Sequence, residues 1–205
     1  MMTKAETLFR KLTGHFKYLE KTRKKSEQLF SKKIIVRRDI GIIYAGLFLD
    51  VVTSFEGFIE DLFLKLLVDD SIHPSRSVKA KFNFKNITNS RTMVCSGKNY
   101  INWFPYDFTI KRAKIFFKSG KPFTSLDSND KKRLEEILYI RNALAHRSNY
   151  SIKVFKRNVI SGLPLTSKEM TVTGFLRSLY ASNPPQTRYE YYVFQLSYLG
   201  RKLIQ

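Results

Sequence analysis

The chain has 205 residues, 37 Lys and Arg against 17 Asp and Glu, and a formal net charge of +20. Its length fits one domain with room for an insertion, and a composition that is 43% hydrophobic and 14% aromatic supports a real core and excludes global disorder. So large a positive excess points to a polyanionic partner, with nucleic acid favoured over a basic surface kept only for solubility and over membrane lipid.

The single cysteine, Cys95, can form no internal disulfide and is expected to be a buried structural thiol in a reducing compartment. No charged start followed by an apolar run and a small-residue cleavage site is present, so no signal peptide is expected. The most apolar run, Gly41 to Leu49, stops at Asp50 and is too short to span a bilayer. The expected location is cytoplasmic, with no membrane partner.

In chain order, residues 3–29 read as a basic amphipathic helix, with Leu8, Leu12, Phe16 and Leu19 at helical spacing. Lys17, Lys21, Arg23, Lys24 and Lys25 cluster on and beside its polar side, as a contact for phosphates or as an ordinary solvated face. Lys24 and Lys25 are the candidate substrate contacts. His15 has no partner pattern around it and reads as a surface or packing residue.

Residues 37–70 read as one long core helix, in which Ile40, Tyr44, Leu47, Val51, Phe55, Phe58, Leu62 and Leu66 keep a three-four rhythm. Gly46 and Gly57 would admit a close helix neighbour. Residues 71–106 lose this rhythm. Pro74, Gly97, Pro105 and the alternation Lys81-Phe82-Asn83-Phe84-Lys85 predict a loop or insertion with short extended pieces. Its Lys81 and Lys85 are further candidate substrate contacts, with Phe82 and Phe84 either stacking on bases or covering the core. Trp103 and Phe104 are expected to cap the core, and His73, just before Pro74, to lie in a turn.

Residues 107–118 predict a short basic helix ended by Gly120-Lys121-Pro122. Asp127 or Ser128 then caps a helix over about 129–147. Met170 to Leu176 fits a strand or an extended loop, Pro184-Pro185 marks a break, and 187–204 closes the chain as an aromatic helix. The fold class expected is all-α, a single domain over 1–205. Its parts are a basic N-terminal helix (1–36), core helices (37–70 and 107–150), a loop or insertion (71–106) and a C-terminal helix (187–205).

The most informative stretch is Leu138-Tyr139-Ile140-Arg141-Asn142-Ala143-Leu144-Ala145-His146-Arg147. With Leu134 at zero and about 100° per residue, Leu138 and Ala145 fall within about 40° and Ile137 and Leu144 within about 80°. Arg141 lands at about −20°, in the middle of that apolar stripe. A guanidinium so placed calls for a carboxylate or an anionic ligand, and Asp50 or Asp61 is its expected carboxylate partner. Asn142 and His146, four apart, share one edge of the helix. Arginine, amide and imidazole on one rim can hold a phosphate, orient it and move a proton. An alternative gives Arg141 a buried ion pair and makes His146 a cation that complements the helix C-terminus.

Arg141-Asn142-Ala143-Leu144-Ala145-His146 resembles the R-x(4–6)-H motif of HEPN domains, an all-helical family with many RNases of toxin–antitoxin, abortive-infection and CRISPR systems. Phe55-Glu56-Gly57-Phe58-Ile59-Glu60-Asp61-Leu62 resembles the family's first core helix. The stretch Tyr106 to Phe123 and the aromatic C-terminal helix look like the RiboL-PSP branch, the likeness covering roughly residues 37–204.

The resemblance implies an antiparallel helical bundle and a metal-independent endoribonuclease that leaves 2′,3′-cyclic phosphate and 5′-hydroxyl ends. It implies His146 as general base or acid, Arg141 on the scissile phosphate and Asn142 orienting phosphate or imidazole, with Arg147 as a second phosphate contact. The implied partners are RNA, a second copy packed through the motif helix, and an antitoxin or regulatory protein; the setting is that of a toxin or phage-defence effector. The chain has no Walker-type loop, G-x-G-x-x-G, G-x-S-x-G or H-E-x-x-H, and three scattered histidines with one cysteine do not make a zinc site. No metal and no cofactor are expected. A non-catalytic RNA- or nucleotide-binding module, or a dimerising scaffold, is the alternative.

Overall fold

A computed structural model describes residues 3–205 and is mostly helical, with eight α-helices among those residues. In order they are α1 (Lys4–Ser31), α2 (Arg37–Val68), α3 (Ile87–Val94), α4 (Tyr106–Phe116), α5 (Ser128–His146), α6 (Asn149–Phe155), α7 (Val172–Arg177) and α8 (Arg188–Lys202). Two short strands, β1 (Leu179–Ser182) and β2 (Pro185–Thr187), pair antiparallel around the Asn183-Pro184 turn. The expectation of an all-α fold therefore holds in class.

The chain divides into two compact units. Among the described residues the first comprises 3–13, 54–134 and 197–205; the second comprises 14–53 and 135–196. The long helices α1, α2, α5 and α8 each contribute a part to both.

The periodic positions of α2 are all buried, from Ile40 through Leu66, so the three-four rhythm marks the core side correctly. The apolar stretch that breaks at Asp50 continues beyond it in the same helix. By length and composition α2 is apolar enough to cross a bilayer, with mean hydropathy 1.6 over an 18-residue window, yet half of that window is buried inside the protein. The close approaches are not at Gly46 or Gly57, where a Cβ would meet nothing within 4 Å. In the second unit it is Gly41 that faces α7: a Cβ there would lie 3.4 Å from Thr173 Oγ1.

In the first unit the core is aromatic. Phe63 packs against Trp103, Phe117 and Phe123, with ring centroids 5.1, 4.9 and 5.0 Å away. Trp103 and Phe104 are buried, as their role in capping the core requires, and Trp103 Nε1 donates to Glu60 Oε2 at 2.8 Å. Glu60 also pairs with Arg91 of α3. The segment 71–106 is thus not all loop. Asn86 caps α3 by accepting from the Asn89 N–H, and Ala80 forms a single bridge with Phe117. An eight-residue helix is too short for its period to stand out in the sequence. Phe82 is half exposed, whereas Cys95 is buried. His73 is also buried: its Nδ1 accepts from the Ser75 N–H, which leaves Nε2–H to donate to Leu203 O at 3.1 Å. Burial pushes its pKa below the ordinary histidine value.

In the second unit a guanidinium is buried. Arg23, 6% exposed, donates to Glu20, to Tyr44 Oη at 3.0 Å and to Glu190 Oε1 at 2.6 Å. Tyr44 in turn donates to Glu27 Oε1 at 2.7 Å, and Arg177 donates twice to Glu27, at 3.0 Å each. Rings of Tyr44, Phe48, Phe175, Tyr189 and Tyr192 pack edge-on or tilted around this network. Arg23 is therefore not one of the phosphate-contacting cations expected on α1; its charge is spent inside. Met170 to Leu176 is likewise not a strand. Thr171 accepts from the Gly174 N–H and starts α7, whose Phe175 and Leu176 are buried.

Removal of one member of a buried ion pair leaves the others uncompensated. Arg23→Ala should cost about 3 kcal/mol, read as a lowered urea midpoint with Glu20 and Glu190 left in place. Burial alone would raise Glu27, but hydrogen bonds from Arg177 and Tyr44 outweigh it and hold the carboxyl below its ordinary range. Glu190 is held down in the same sense, burial being outweighed by the Thr187 N–H and hydroxyl and by Arg23. Their stabilisation is present above the unfolded glutamate pKa of about 4.3 and is lost as pH falls through the lower folded values. Urea unfolding followed from neutral to acid pH should show stability falling as pH drops below about 4, and less steeply in Glu27→Gln.

Candidate functional site

Helix α5 begins with a reciprocal cap. Asp127 Oδ1 accepts the N–H groups of Asn129 and Asp130 at 2.9 and 3.0 Å, and its own N–H donates to Asp130 Oδ2 at 3.0 Å. The Asp130 N–H, then the Lys202 ammonium, hold the Asp127 carboxyl down to about 2. Of the two residues expected as the cap, Asp127 serves.

Along α5 the buried apolar positions are Leu134, Ile137, Ile140, Ala143 and Leu144. Steps of three residues cover about 300°, so this stripe slips by about 60° at each step and winds around the helix. Its centre lies well to one side of Leu134. Arg141 is consequently not in the middle of the apolar face but half-buried at its edge, and Ala145, expected on the stripe, is exposed. Among the described residues no carboxylate holds Arg141. Its Nη1 donates to Asn142 Oδ1 at 3.0 Å. Asp50 instead takes His15 Nε2 at 2.9 Å, and Asp61 sits 3.6 Å from Lys65 one turn along α2. His15 thus has a partner that its local sequence does not announce, because the two are 35 residues apart.

His146 is exposed in the last turn of α5, four residues from Asn142 and so on the same flank. Among the described residues its ring has no hydrogen-bond partner. The structure thus brings Arg141 and Asn142 into contact and presents His146 one turn beyond them, all within the second unit.

Arg147 ends the helix with φ +50°, a left-handed conformation rare outside glycine. Ser148 immediately caps α6, its Oγ accepting from the Ser151 N–H at 3.1 Å. Arg147 therefore lies at a sharp turn between two helices, and it lines a cleft of about 290 Å³ that His146 does not line. Arg37 and Arg38 of α2 share that cleft. Neither stood out as a functional residue; an arginine pair at the start of a long helix is the only sign of them in the sequence.

Of the expected substrate contacts, Lys24 and Lys25 are exposed in the same unit, with Lys24 Nζ 3.7 Å from Glu20. Lys81 and Lys85 are exposed but belong to the other unit, and the Lys81 ammonium donates to Lys114 O at 2.7 Å.

Comparison with family models, curated proteins and solved structures returns no match for this chain.

A half-buried arginine whose bond is to a neutral amide contributes little to folding. Arg141→Ala should lower the unfolding free energy by less than about 1 kcal/mol in urea denaturation. A loss of several kcal/mol would instead mark Arg141 as a structural ion-pair residue.

Proposed function

We propose that this protein is a metal-independent endoribonuclease of the HEPN type, acting in the cytoplasm as a toxin or phage-defence effector. The carrying observation is the Arg141–Asn142 contact on an accessible flank of α5, with the exposed His146 one turn further on. The net charge of +20 supports a polyanionic substrate.

RNA carries its own nucleophile. A neutral His146 imidazole takes the 2′-hydroxyl proton as the oxygen attacks phosphorus; the bond from phosphorus to the 5′-oxygen breaks, and the leaving oxygen takes up a proton. Arg141, held by Asn142, faces the charge that grows on the non-bridging oxygens. One imidazole cannot be base and acid at the same instant, so a homodimer packed through α5 brings the second copy's imidazole to donate. Exposed Ala145 and half-buried Leu138, beside the motif, give that flank a small apolar surface suited to such packing. The antiparallel HEPN bundle and a neutralising antitoxin or regulator belong to the same proposal.

The unpartnered His146 ring favours one alternative, a module that holds phosphate through Arg141 and Asn142 without cutting. Cleavage of a labelled tRNA pool in EDTA separates the two. The wild type should cut and leave cyclic-phosphate ends, and His146→Ala should be slower by about 100-fold or more. Salt-sensitive binding with no cutting by either protein would favour the binding module.

A further inference from the structure

The cleft beside the motif has its own chemistry. Its exposed rim carries three guanidiniums, Arg37, Arg38 and Arg147, and its floor is made of buried Ala45, Ala143, Leu144 and Val172. Arg23 pairs with Glu20 and Glu190, Arg177 with Glu27 and Arg91 with Glu60, while Arg112, Arg141 and Arg188 donate to neutral oxygens instead. None of the three rim arginines meets a carboxylate among the described residues. The nearest acid in sequence, Asp39, is turned to the N–H of Val36 at 2.9 Å. Three uncompensated cations around an apolar floor match a ligand with a phosphate at one end and a flat apolar group at the other. The Thr173 hydroxyl, also on the wall, can bond the edge of such a group. The cleft, of about 290 Å³, is larger than a free phosphate requires, and a free phosphate would leave the floor unused.

We propose that this cleft seats one unstacked nucleotide of a single-stranded RNA, its phosphate on Arg37, Arg38 and Arg147 and its base over Ile42 and the apolar floor. That the ligand is RNA rests on the function proposed above; that it is an anion with an apolar body rests on the cleft alone. A paired base cannot enter, so the cleft selects strands whose bases are free. Arg147 connects it to the motif by being the residue next to His146.

The test is fluorescence anisotropy of a 5′-fluorescein hexauridylate on His146→Ala protein, titrated over a range of KCl concentrations, with a duplex of equal length alongside. Arg38→Ala should weaken single-strand binding about tenfold and make the slope of log K against log salt shallower by about 0.7, the value for one lost phosphate contact on a single strand. Ile42→Glu should weaken it at least as much, and Arg38→Lys should restore part of the loss. Both side chains are exposed, and circular dichroism of each variant confirms its fold. Unchanged affinity in Ile42→Glu, or an equal loss on the duplex, overturns the proposal. Uridine 5′-monophosphate displacing the probe as well as unlabelled hexauridylate would give the cleft to a free nucleotide and overturn the strand assignment. Because nothing is cut in this assay, an inactive site would leave the cleft standing, and an unaffected cleft would leave cutting untouched.

Discussion

The second unit is organised around a charge that water does not reach. Taking a guanidinium out of water is expensive, and Arg23 is tolerable at 6% exposure only because its donors are engaged by Glu20, Glu190 and Tyr44. Each acceptor lies on a different turn or helix, so the cost is met only when α1, α2 and α8 have found their places. Tyr44 then passes the connection to Glu27, and Glu27 to Arg177 of α7. Replacing such a network by apolar residues can raise stability; what the ions add is the rejection of arrangements that leave any of them unpaired. In a chain with so many cations, this is a strong filter on which arginine goes inside.

That filter also explains what periodicity conveys and what it does not. Helices α1, α2, α4, α5 and α8 repeat their apolar residues often enough for the three-four rhythm to show, and the eight marked positions of α2 are all buried. Helices α3 and α7, of eight and six residues, span too few turns to be told from loop or strand, and what defines them is a cap made by Asn86 or Thr171. Arg23 sits among Lys21, Lys24 and Lys25 and looks like one more surface cation. Nothing local distinguishes it, since Glu190 is 167 residues away. The pairing of His15 with Asp50 is hidden for the same reason.

The motif helix shows the finer limit. Choosing Leu134 as the centre of its stripe puts Arg141 in the core, whereas the buried positions advance mostly by threes and carry the stripe around the helix. Arg141 thus lies at an edge, where a neutral amide suffices as partner and the guanidinium keeps further donors free of protein carboxylates. The residue types from Arg141 to His146 are legible in one dimension. Their accessibility depends on which side of α5 the rest of the unit covers.

The left-handed residue at the end of α5 has a topological consequence. His146 and Arg147 are adjacent in sequence, yet only the second lines the cleft against α2. A strand bound at both, as proposed, would have to bend around the helix terminus rather than run past it. Hairpin loops and other sharply folded segments already have that curvature, while an extended strand would have to acquire it on arrival. On the proposed function, the backbone angle of a single residue thereby becomes a ruler for the shape of the RNA bound.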